Sequence, residues 1–260
     1  MRLRITMTCS QAVNIPFNYQ YQLHAAIYKL LKQSSPQYSE FLHDTGFIDR
    51  NKHLKLFVFS KLLLVNSMPC KTGFQNVEQA ILYFSTPIPK SFEHLVLGIF
   101  SDQKILLNLC AKPCIFCIED VETLPEPYFK SEMKFTCLSP VAIAGFSGET
   151  NGKHYYDYMV PSEKLAYING LKTNLLRKYR LINGSEFSGD ETFDFSFDPL
   201  YIIKKKGKIR KNIKFKSSHI IAMEAPFTIS AAPELIRVGY ECGFGINNSD
   251  GFGMSGVISG

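Results

Sequence analysis

Hydrophobic and polar positions along the first half of the chain repeat with the periods of strands and helices. Arg2–Cys9 alternates with period 2, which is typical of a strand, whereas Leu23, Ile27, Leu30 and Leu31 share one face of a helix over Tyr19–Lys32. The pattern further predicts a short helix over Pro36–His43, strands over Leu56–Val65 and Gln79–Ser85, a helix over Pro89–Phe100 and a strand pair over Lys104–Val121. The main elements run strand, helix, strand, strand, helix, strand, which is the ferredoxin-like order.

The second half repeats this order after an acidic stretch, Glu119–Glu132, that contains two prolines. The predicted elements are strands over Met133–Ala144, Glu191–Phe197, His219–Ser230 and Phe252–Ile258, and helices over Pro161–Leu181 and Pro233–Tyr240. We therefore predict an α+β fold of two tandem ferredoxin-like (RRM-like) domains with a C-terminal glycine-rich loop. The predicted boundaries are residues 1–122 and 133–260, joined by a linker over residues 123–132.

The composition excludes several classes of protein but does not indicate a function. The 260 residues are 45% hydrophobic and 20% charged, which excludes collagen-like, coiled-coil and largely disordered chains. No apolar run reaches the ~18 residues of a membrane helix, and the strand-like start lacks the apolar core of a secretory signal. We therefore expect a cytoplasmic protein with no membrane partner.

Seven cysteines, an odd number, indicate reduced thiols in a cytoplasmic chain. Cys110, Cys114 and Cys117 have the C-x3-C-x2-C spacing of iron–sulfur ligands in radical-SAM enzymes. Their flanks read as strands, and no (β/α) repeat follows to build a barrel. We therefore favour cysteines that pack as small hydrophobic residues, with no metal and no cofactor.

Charge is concentrated in one segment although the net charge is only +6. Ser185–Leu200 holds five acidic residues and no basic one, whereas Tyr201–Lys216, here called the basic run, holds eight basic residues and no acidic one. The eight are Lys204, Lys205, Lys206, Lys208, Arg210, Lys211, Lys214 and Lys216. A nucleic-acid backbone would relieve their repulsion and release counterions. A solvated basic loop is the alternative.

The segment Gly239–Met254 contains five glycines, four of them in two Gly-Phe-Gly units, Gly243–Gly245 and Gly251–Gly253. We call residues 243–253 the glycine-rich loop. It is not a Walker loop, because no Gly-Lys-Ser/Thr follows, and it is not a dinucleotide fingerprint, because it precedes a strand. Two interpretations remain open: a backbone nest for phosphates, or a structural loop that packs Phe244 and Phe252 between the domains.

This loop resembles the C-terminal glycine-rich loop of the RAMP superfamily. The match is closer to the CRISPR-associated repeat-processing endoribonucleases, the sixth family of Cas proteins. Four further segments are similar to that family: Ile15–Tyr28, Phe41–His43, Leu54–Ser60 and Leu138–Ile143. The resemblance implies tandem ferredoxin-like domains, in agreement with the periodicity.

The resemblance also implies metal-independent cleavage of CRISPR repeat RNA to make guide RNAs. The 2′-hydroxyl would attack the adjacent phosphorus and leave a 2′,3′-cyclic phosphate and a 5′-hydroxyl. By motif match, His43 is the general-base candidate, Tyr28 faces it from the first helix, and Lys55 stabilises the phosphorane. Lys52 and His53 are rivals of Lys55, and His24 is a further rival in the first helix.

The basic run and Gly243, Gly245, Gly251 and Gly253 are the expected RNA-binding residues. CRISPR repeat RNA is the expected partner, and other Cas effector subunits and a second copy of the chain are further candidates. The leading alternative is a non-catalytic RAMP subunit that binds guide RNA in an effector complex, which would not need His43, Tyr28 or Lys55. A general RNA-binding module is a third reading, but it does not predict the matched segments.

Overall fold

A computed structural model describes residues 1–109, 113–147 and 152–258. The helices are α1 (Gln20–Ser34), α2 (Pro36–Glu40), α3 (Pro89–Asp102), α4 (Pro161–Asn183), α5 (Pro199–Lys204) and α6 (Pro233–Cys242). A π-helical turn spans Phe41–Thr45 and a 3-10 turn spans Asn248–Asp250. The strands are β1 (Arg2–Pro16), β2 (Phe47–Asp49), β3 (Lys52–Leu54), β4 (Val58–Phe59), β5 (Leu63–Val65), β6 (Met68–Pro69), β7 (Gly73–Ser85), β8 (Lys104–Asn108), β9 (Pro113–Leu124), β10 (Glu132–Cys137), β11 (Ala144–Ser147), β12 (Gly152–Tyr155), β13 (Asp194–Phe197), β14 (Arg210–Phe215), β15 (Ser218–Met223), β16 (Phe227–Ser230) and β17 (Ser255–Val257).

The first sheet has the strand order β4-β7-β1-β9-β8, with β5 and β6 also paired to β7. The alternation in β1 buries Leu3, Ile5 and Met7, and α1 and α3 share that core. The two helices contact closely at Gly98, where a Cβ atom would lie only 2.1 Å from the Leu30 carbonyl oxygen. The strand order is that of a ferredoxin-like domain with an added hairpin strand.

The second sheet has the order β13-β16-β10-β17, which is the same topology. Its core is rich in aromatic residues, among them Phe135, Phe195 and Phe227 from the sheet, Tyr167 from α4 and Phe244 from the glycine-rich loop. The predicted fold class is therefore confirmed: the chain is α+β, with two tandem ferredoxin-like units. None of the helices in the described residues is both long enough and apolar enough to cross a membrane.

Three predicted strands are interrupted by contacts or residues that periodicity does not reveal. The strand predicted over Leu56–Val65 splits at Lys61, because the Lys61 amide donates to the Leu138 carbonyl of the second half. The strand predicted over Met133–Ala144 ends at Cys137, because Leu138 and Ser139 both donate to the Met254 carbonyl. Pro226 lies in the break of the strand predicted over His219–Ser230 and has no amide to donate.

The helix predicted over Pro36–His43 also ends early. It is α-helical only to Glu40 and widens into the π-helical turn Phe41–Thr45, which closes at Gly46 with φ of +61°. A Cβ atom at Gly46 would lie 2.6 Å from the Leu54 carbonyl oxygen and 3.0 Å from Cδ of Lys55. Glycine at this position therefore lets the turn that carries His43 lie against Lys55.

Candidate active site

His43 projects from the π-helical turn into solvent, with its side chain 74% exposed. Its Nδ1 atom lies 2.6 Å from Oδ1 of Asp44. A carboxylate only accepts hydrogen bonds, so Nδ1 carries the proton and, in the neutral ring, Nε2 keeps its lone pair. The turn therefore presents an imidazole whose free nitrogen can accept a proton from a bound molecule.

Lys55 follows the short β2–β3 hairpin and is half-buried beside the same turn. Its ammonium donates to the backbone carbonyl of His43 at 2.9 Å. Burial lowers the pKa of Lys55, and the carboxylates of Asp44 and Asp250 partly offset that effect. The structure thus brings the predicted residues His43 and Lys55 into direct contact.

Tyr28 lies on α1 and is half-buried. Burial and the nearby Asp250 carboxylate raise the pKa of its phenol, and an interaction with the Ser249 side chain lowers it in part. The phenol is therefore a hydrogen-bond donor at neutral pH. Its ring centroid lies 5.9 Å from that of Phe57, two residues after Lys55. In the described part of the chain, no hydrogen bond or ring contact joins Tyr28 directly to His43.

The rival candidates occupy different positions. His24 lies one turn before Tyr28, with its ring 4.6 Å away, and its Nδ1 atom is 2.9 Å from the Ser249 carbonyl oxygen and 3.2 Å from Oδ1 of Asp250. His53 is exposed on β3, and its Nδ1 atom lies 2.7 Å from the Thr45 carbonyl oxygen. Lys52 is exposed at the start of the same strand. Of the two lysines, Lys55 is therefore the one that contacts the turn carrying His43.

The glycine-rich loop lies between α4 of the second half and α1 of the first. Gly243, Gly245, Gly251 and Gly253 are all buried with positive φ, whereas the residues between the two Gly-Phe-Gly units are only half-buried. Phe244 packs in the second core, and Phe252 packs in a small separate cluster with Ala142, Phe215 and Ile220. Both clusters consist of second-half residues, so the loop has a structural role but its two phenylalanines pack within the second half and not, as predicted, between the domains. An RNA-binding role for the four glycines stays a prediction.

Sequence reasoning did not identify the loop as the element that joins the candidate residues. Asp250 raises the pKa of both Tyr28 and Lys55, and the Ser249 carbonyl lies 2.9 Å from Nδ1 of His24, whose ring packs on Tyr28. The sequence marks Ser249 and Asp250 only as turn residues, about 200 positions from the residues that they touch. Asp44 was also missed, although a carboxylate directly after a candidate histidine is a usable signal.

The basic run begins in α5, passes through a turn and forms β14, which pairs with β15 in a hairpin. All eight basic side chains are exposed. Arg210 pairs with Asp157 at 3.3 Å and Lys211 pairs with Glu224 at 3.4 Å. Phe215, at the hairpin end, makes edge contacts with the rings of Tyr21 and His24 on α1. The run is therefore an ordered surface that reaches the helix carrying Tyr28.

Lys214 and Lys216 line an open cleft of about 1040 Å³ between the bent part of β1 and the start of α1. Tyr21, Phe74 and Pro113 also line it. His43, Tyr28 and Lys55 do not, so this cleft is separate from the contact between His43 and Lys55.

Of the three cysteines in the C-x3-C-x2-C segment, Cys114 and Cys117 are described, whereas Cys110 lies outside the described residues. Cys114 and Cys117 lie on β9, and Sγ of Cys114 is 3.6 Å from Sγ of Cys9. Burial raises the pKa of the Cys114 thiol to about 12, which keeps it protonated. Within residues 1–109, 113–147 and 152–258, no group of three or more His, Cys, Asp or Glu side chains is arranged to hold a metal ion.

Comparison with known proteins assigns the family. Residues 14–121 match the family model described as CRISPR-associated protein Cas6, N-terminal, and residues 124–257 match CRISPR associated protein Cas6, C-terminal. A curated relative from Methanocaldococcus jannaschii, named CRISPR-associated endoribonuclease Cas6 1, is 29% identical over 255 residues, which cover 98% of this chain and 91% of the relative. CRISPR-associated endoribonuclease Cas6 from Pyrococcus furiosus is 29% identical over 247 residues, covering 94% and 84%.

Solved structures agree in fold. One described as CRISPR associated protein Cas6 has a TM-score of 0.77 and 27% identity, covering 100% of this chain and 99% of that chain. Another, described as an RAMP protein binding different RNA substrates, has a TM-score of 0.80 at 20% identity, with full coverage of both chains, and shows the fold alone. The resemblance stated from the motifs is confirmed: with both halves matched by its models, the chain belongs to the Cas6 family of CRISPR-associated proteins.

Proposed function

We propose that this protein is an endoribonuclease that cleaves CRISPR repeat RNA to release guide RNAs. Family membership and the names of the two curated relatives support this activity. One structural observation carries the proposal: the Lys55 ammonium donates to the backbone carbonyl of His43, whose imidazole is exposed. A proton acceptor and a cation at one surface position are what RNA self-cleavage needs.

In the proposed reaction the 2′-hydroxyl oxygen forms a bond to the adjacent phosphorus and the bond to the 5′-oxygen breaks. Nε2 of His43 takes the proton of the 2′-hydroxyl. The Lys55 ammonium stabilises the negative charge of the phosphorane and protonates the leaving 5′-oxygen, which its lowered pKa favours. The Tyr28 phenol, kept protonated by its raised pKa, donates to a phosphate oxygen. The products are a 2′,3′-cyclic phosphate and a 5′-hydroxyl, and no metal ion takes part.

The basic run is proposed to bind the phosphates of the RNA on either side of the cleaved bond. Its side chains are exposed, and the hairpin that carries half of them ends against α1, the helix of Tyr28. Such contacts fix the position of the RNA without reading its sequence. Binding to other Cas effector subunits and to a second copy of the chain stays a prediction.

Incubation with end-labelled repeat RNA tests the proposal. We expect one cleavage site, product ends bearing 2′,3′-cyclic phosphate and 5′-hydroxyl groups, and the same rate with and without EDTA. Repeat RNA with a single 2′-deoxy substitution at the cleaved nucleotide should bind and stay intact. Cleavage of that RNA, or loss of activity in EDTA, would overturn the mechanism, and binding of unmodified RNA without cleavage would support the non-catalytic RAMP subunit instead.

A further inference from the structure

Lys178 on α4 is a buried lysine, with only 2% of its surface exposed. Its ammonium donates to the carbonyl oxygens of Gly243 at 2.6 Å and Gly245 at 2.9 Å, and to Oδ1 of Asn248 at 2.7 Å. Three acceptors match the three N–H bonds of an ammonium group. All three belong to the glycine-rich loop, and all three are uncharged.

Such a site is costly for stability. Burial lowers the pKa of Lys178 to about 7, which reflects the penalty of holding a charge away from water. Burying an ion against uncharged groups contributes less to stability than apolar packing of the same volume. The buried ammonium therefore makes an unfavourable contribution to stability. It also fixes three positions of a loop in which four glycines have positive φ.

The loop that Lys178 restrains also contacts residues of the candidate active site. Asn248, held by Lys178, also donates from Nδ2 to the Phe252 carbonyl at 2.8 Å and so joins the two ends of the loop. The next two residues, Ser249 and Asp250, contact His24, whose ring lies 4.6 Å from that of Tyr28, and the Asp250 carboxylate raises the pKa of both Tyr28 and Lys55. A shift of the Lys178 anchor would therefore move the groups that hold His24 against Tyr28.

We propose that Lys178 is a positioning residue for RNA cleavage: it fixes the glycine-rich loop so that Ser249 and Asp250 hold His24, whose ring packs against that of Tyr28. This inference rests on the proposed function. Lys178 touches neither RNA nor a reacting atom, because its side chain is enclosed between α4 and the loop. Its effect is on the rate of the bound complex and not on RNA affinity.

The test compares Lys178→Met, which removes the charge at similar volume, with the wild-type protein. We expect the single-turnover rate at saturating repeat RNA to fall by roughly 10- to 100-fold, the range expected for misplaced catalytic groups. The Kd for the uncleavable 2′-deoxy RNA should stay near the wild-type value. Hydrogen exchange of a peptide spanning residues 243–253 should become faster.

Leu171→Ala is the matched control. Leu171 is fully buried on the same helix, and its side chain packs in the second core, so the variant loses stability without removing a partner of the loop. Both variants are measured at a temperature where circular dichroism shows them folded. A wild-type rate in Lys178→Met, or an equal fall in Leu171→Ala, would overturn the positioning role.

A second variant covers the case in which Lys178→Met does not fold. Asn248→Ala keeps the lysine and removes one of its three acceptors together with the amide that joins the loop ends. It should show the same split between rate and Kd, and an unchanged rate would overturn the inference. Failure of the wild-type protein to cleave repeat RNA would instead contradict the proposed function, so the two failures are distinguishable.

Discussion

The imidazole of His43 is oriented by its neighbour in sequence. Asp44 holds the proton on Nδ1, which leaves Nε2 to act as the base. We predict that His43→Ala lowers the single-turnover cleavage rate by at least ~100-fold, the effect of removing a general base, while RNA affinity is kept. The measurement is cleavage of labelled repeat RNA at saturating protein, together with a binding titration.

His53→Ala is the matched control for this prediction. His53 is also exposed and also contacts the π-helical turn, through the Thr45 carbonyl. It should cleave at close to the wild-type rate. If His53→Ala abolishes cleavage and His43→Ala does not, the base has been assigned to the wrong histidine.

The proposed role of Lys55 in stabilising transition-state charge can be tested separately from that of His43. It is half-buried against His43, so its charge is less screened than that of a surface lysine. We predict that Lys55→Met lowers the cleavage rate by roughly 100-fold, the range for removing one group that stabilises transition-state charge. The rate should be measured under single-turnover conditions across pH 6–9.

Lys52→Met removes the same charge three residues earlier, from an exposed position on the same hairpin. It should affect the rate little, because its ammonium is not held beside His43. Equal losses in both variants would mean that the hairpin contributes only general positive charge.

The motif match selected His43, Tyr28 and Lys55 because their neighbours in sequence carry the family pattern. It could not select Ser249 or Asp250, whose contacts with α1 exist only after the two halves pack together. Lys178 had even less signal, because periodicity places it only within the helix predicted over Pro161–Leu181. Its burial depends on which way α4 turns toward the loop, and that is a property of tertiary packing.

The basic run, which the charge pattern singles out, forms a surface on which all eight basic side chains are exposed. Lys204, Lys205 and Lys206 are exposed at the end of α5 and in the turn after it. We predict that changing all three to Gln weakens RNA binding and reduces the salt dependence of log K by about 0.7 for each phosphate that the variant no longer neutralises. Binding should be titrated at several salt concentrations.

A control triple variant changes Lys104, Lys130 and Lys134, which are exposed outside the basic run, to Gln. It lowers the net charge equally, so a purely global effect of charge would appear in both triple variants. A salt slope that is unchanged in the Lys204–Lys206 variant would show that this part of the run does not contact the RNA backbone.

At the level of elements, apolar periodicity predicted the order of the core strands and helices in both halves, but it did not predict α5, the β11–β12 hairpin or β14. It failed where an element ends for reasons that lie elsewhere in the chain. The break between β4 and β5 follows from the Lys61 amide bonding to Leu138, and the end of β10 follows from bonds to Met254. The π-helical turn of His43 has no periodic signature, because five residues are too few to display one.

The two halves of the molecule are joined by several polar contacts. The Arg2 guanidinium on β1 donates to the carbonyls of Tyr240 and Ser255, and Gln20 donates to the carbonyls of Asp250 and Gly251. The proposed catalytic side chains lie in the first half, whereas the loop that packs against α1 beside Tyr28 belongs to the second. Neither half alone contains the whole site, so their relative position is part of the proposed mechanism.

The buried Asp49 on β2 also joins the two halves. It accepts from Nε of Arg177 at 3.0 Å and from Nε of Arg180 at 2.8 Å, both on α4. Arg180 and, to a lesser extent, Arg177 lower the pKa of Asp49. Replacing it with Asn weakens these charge-assisted bonds, and we predict a loss of about 2 kcal/mol in the free energy of unfolding at pH 7. Urea unfolding measures that loss.

The pH dependence of the free energy of unfolding distinguishes the charge of Asp49 from an effect of its side-chain shape. Because the pKa of Asp49 is lower in the folded state, its stabilisation is complete above the unfolded value near ~3.9 and is lost as the pH falls through the folded value. The stability difference between wild type and Asp49→Asn should therefore shrink under acid. Glu122→Gln, which removes an exposed pair with Arg4, should cost less than about 1 kcal/mol at pH 7. A difference for Asp49→Asn that does not change with pH would show that packing, and not the carboxylate charge, joins β2 to α4.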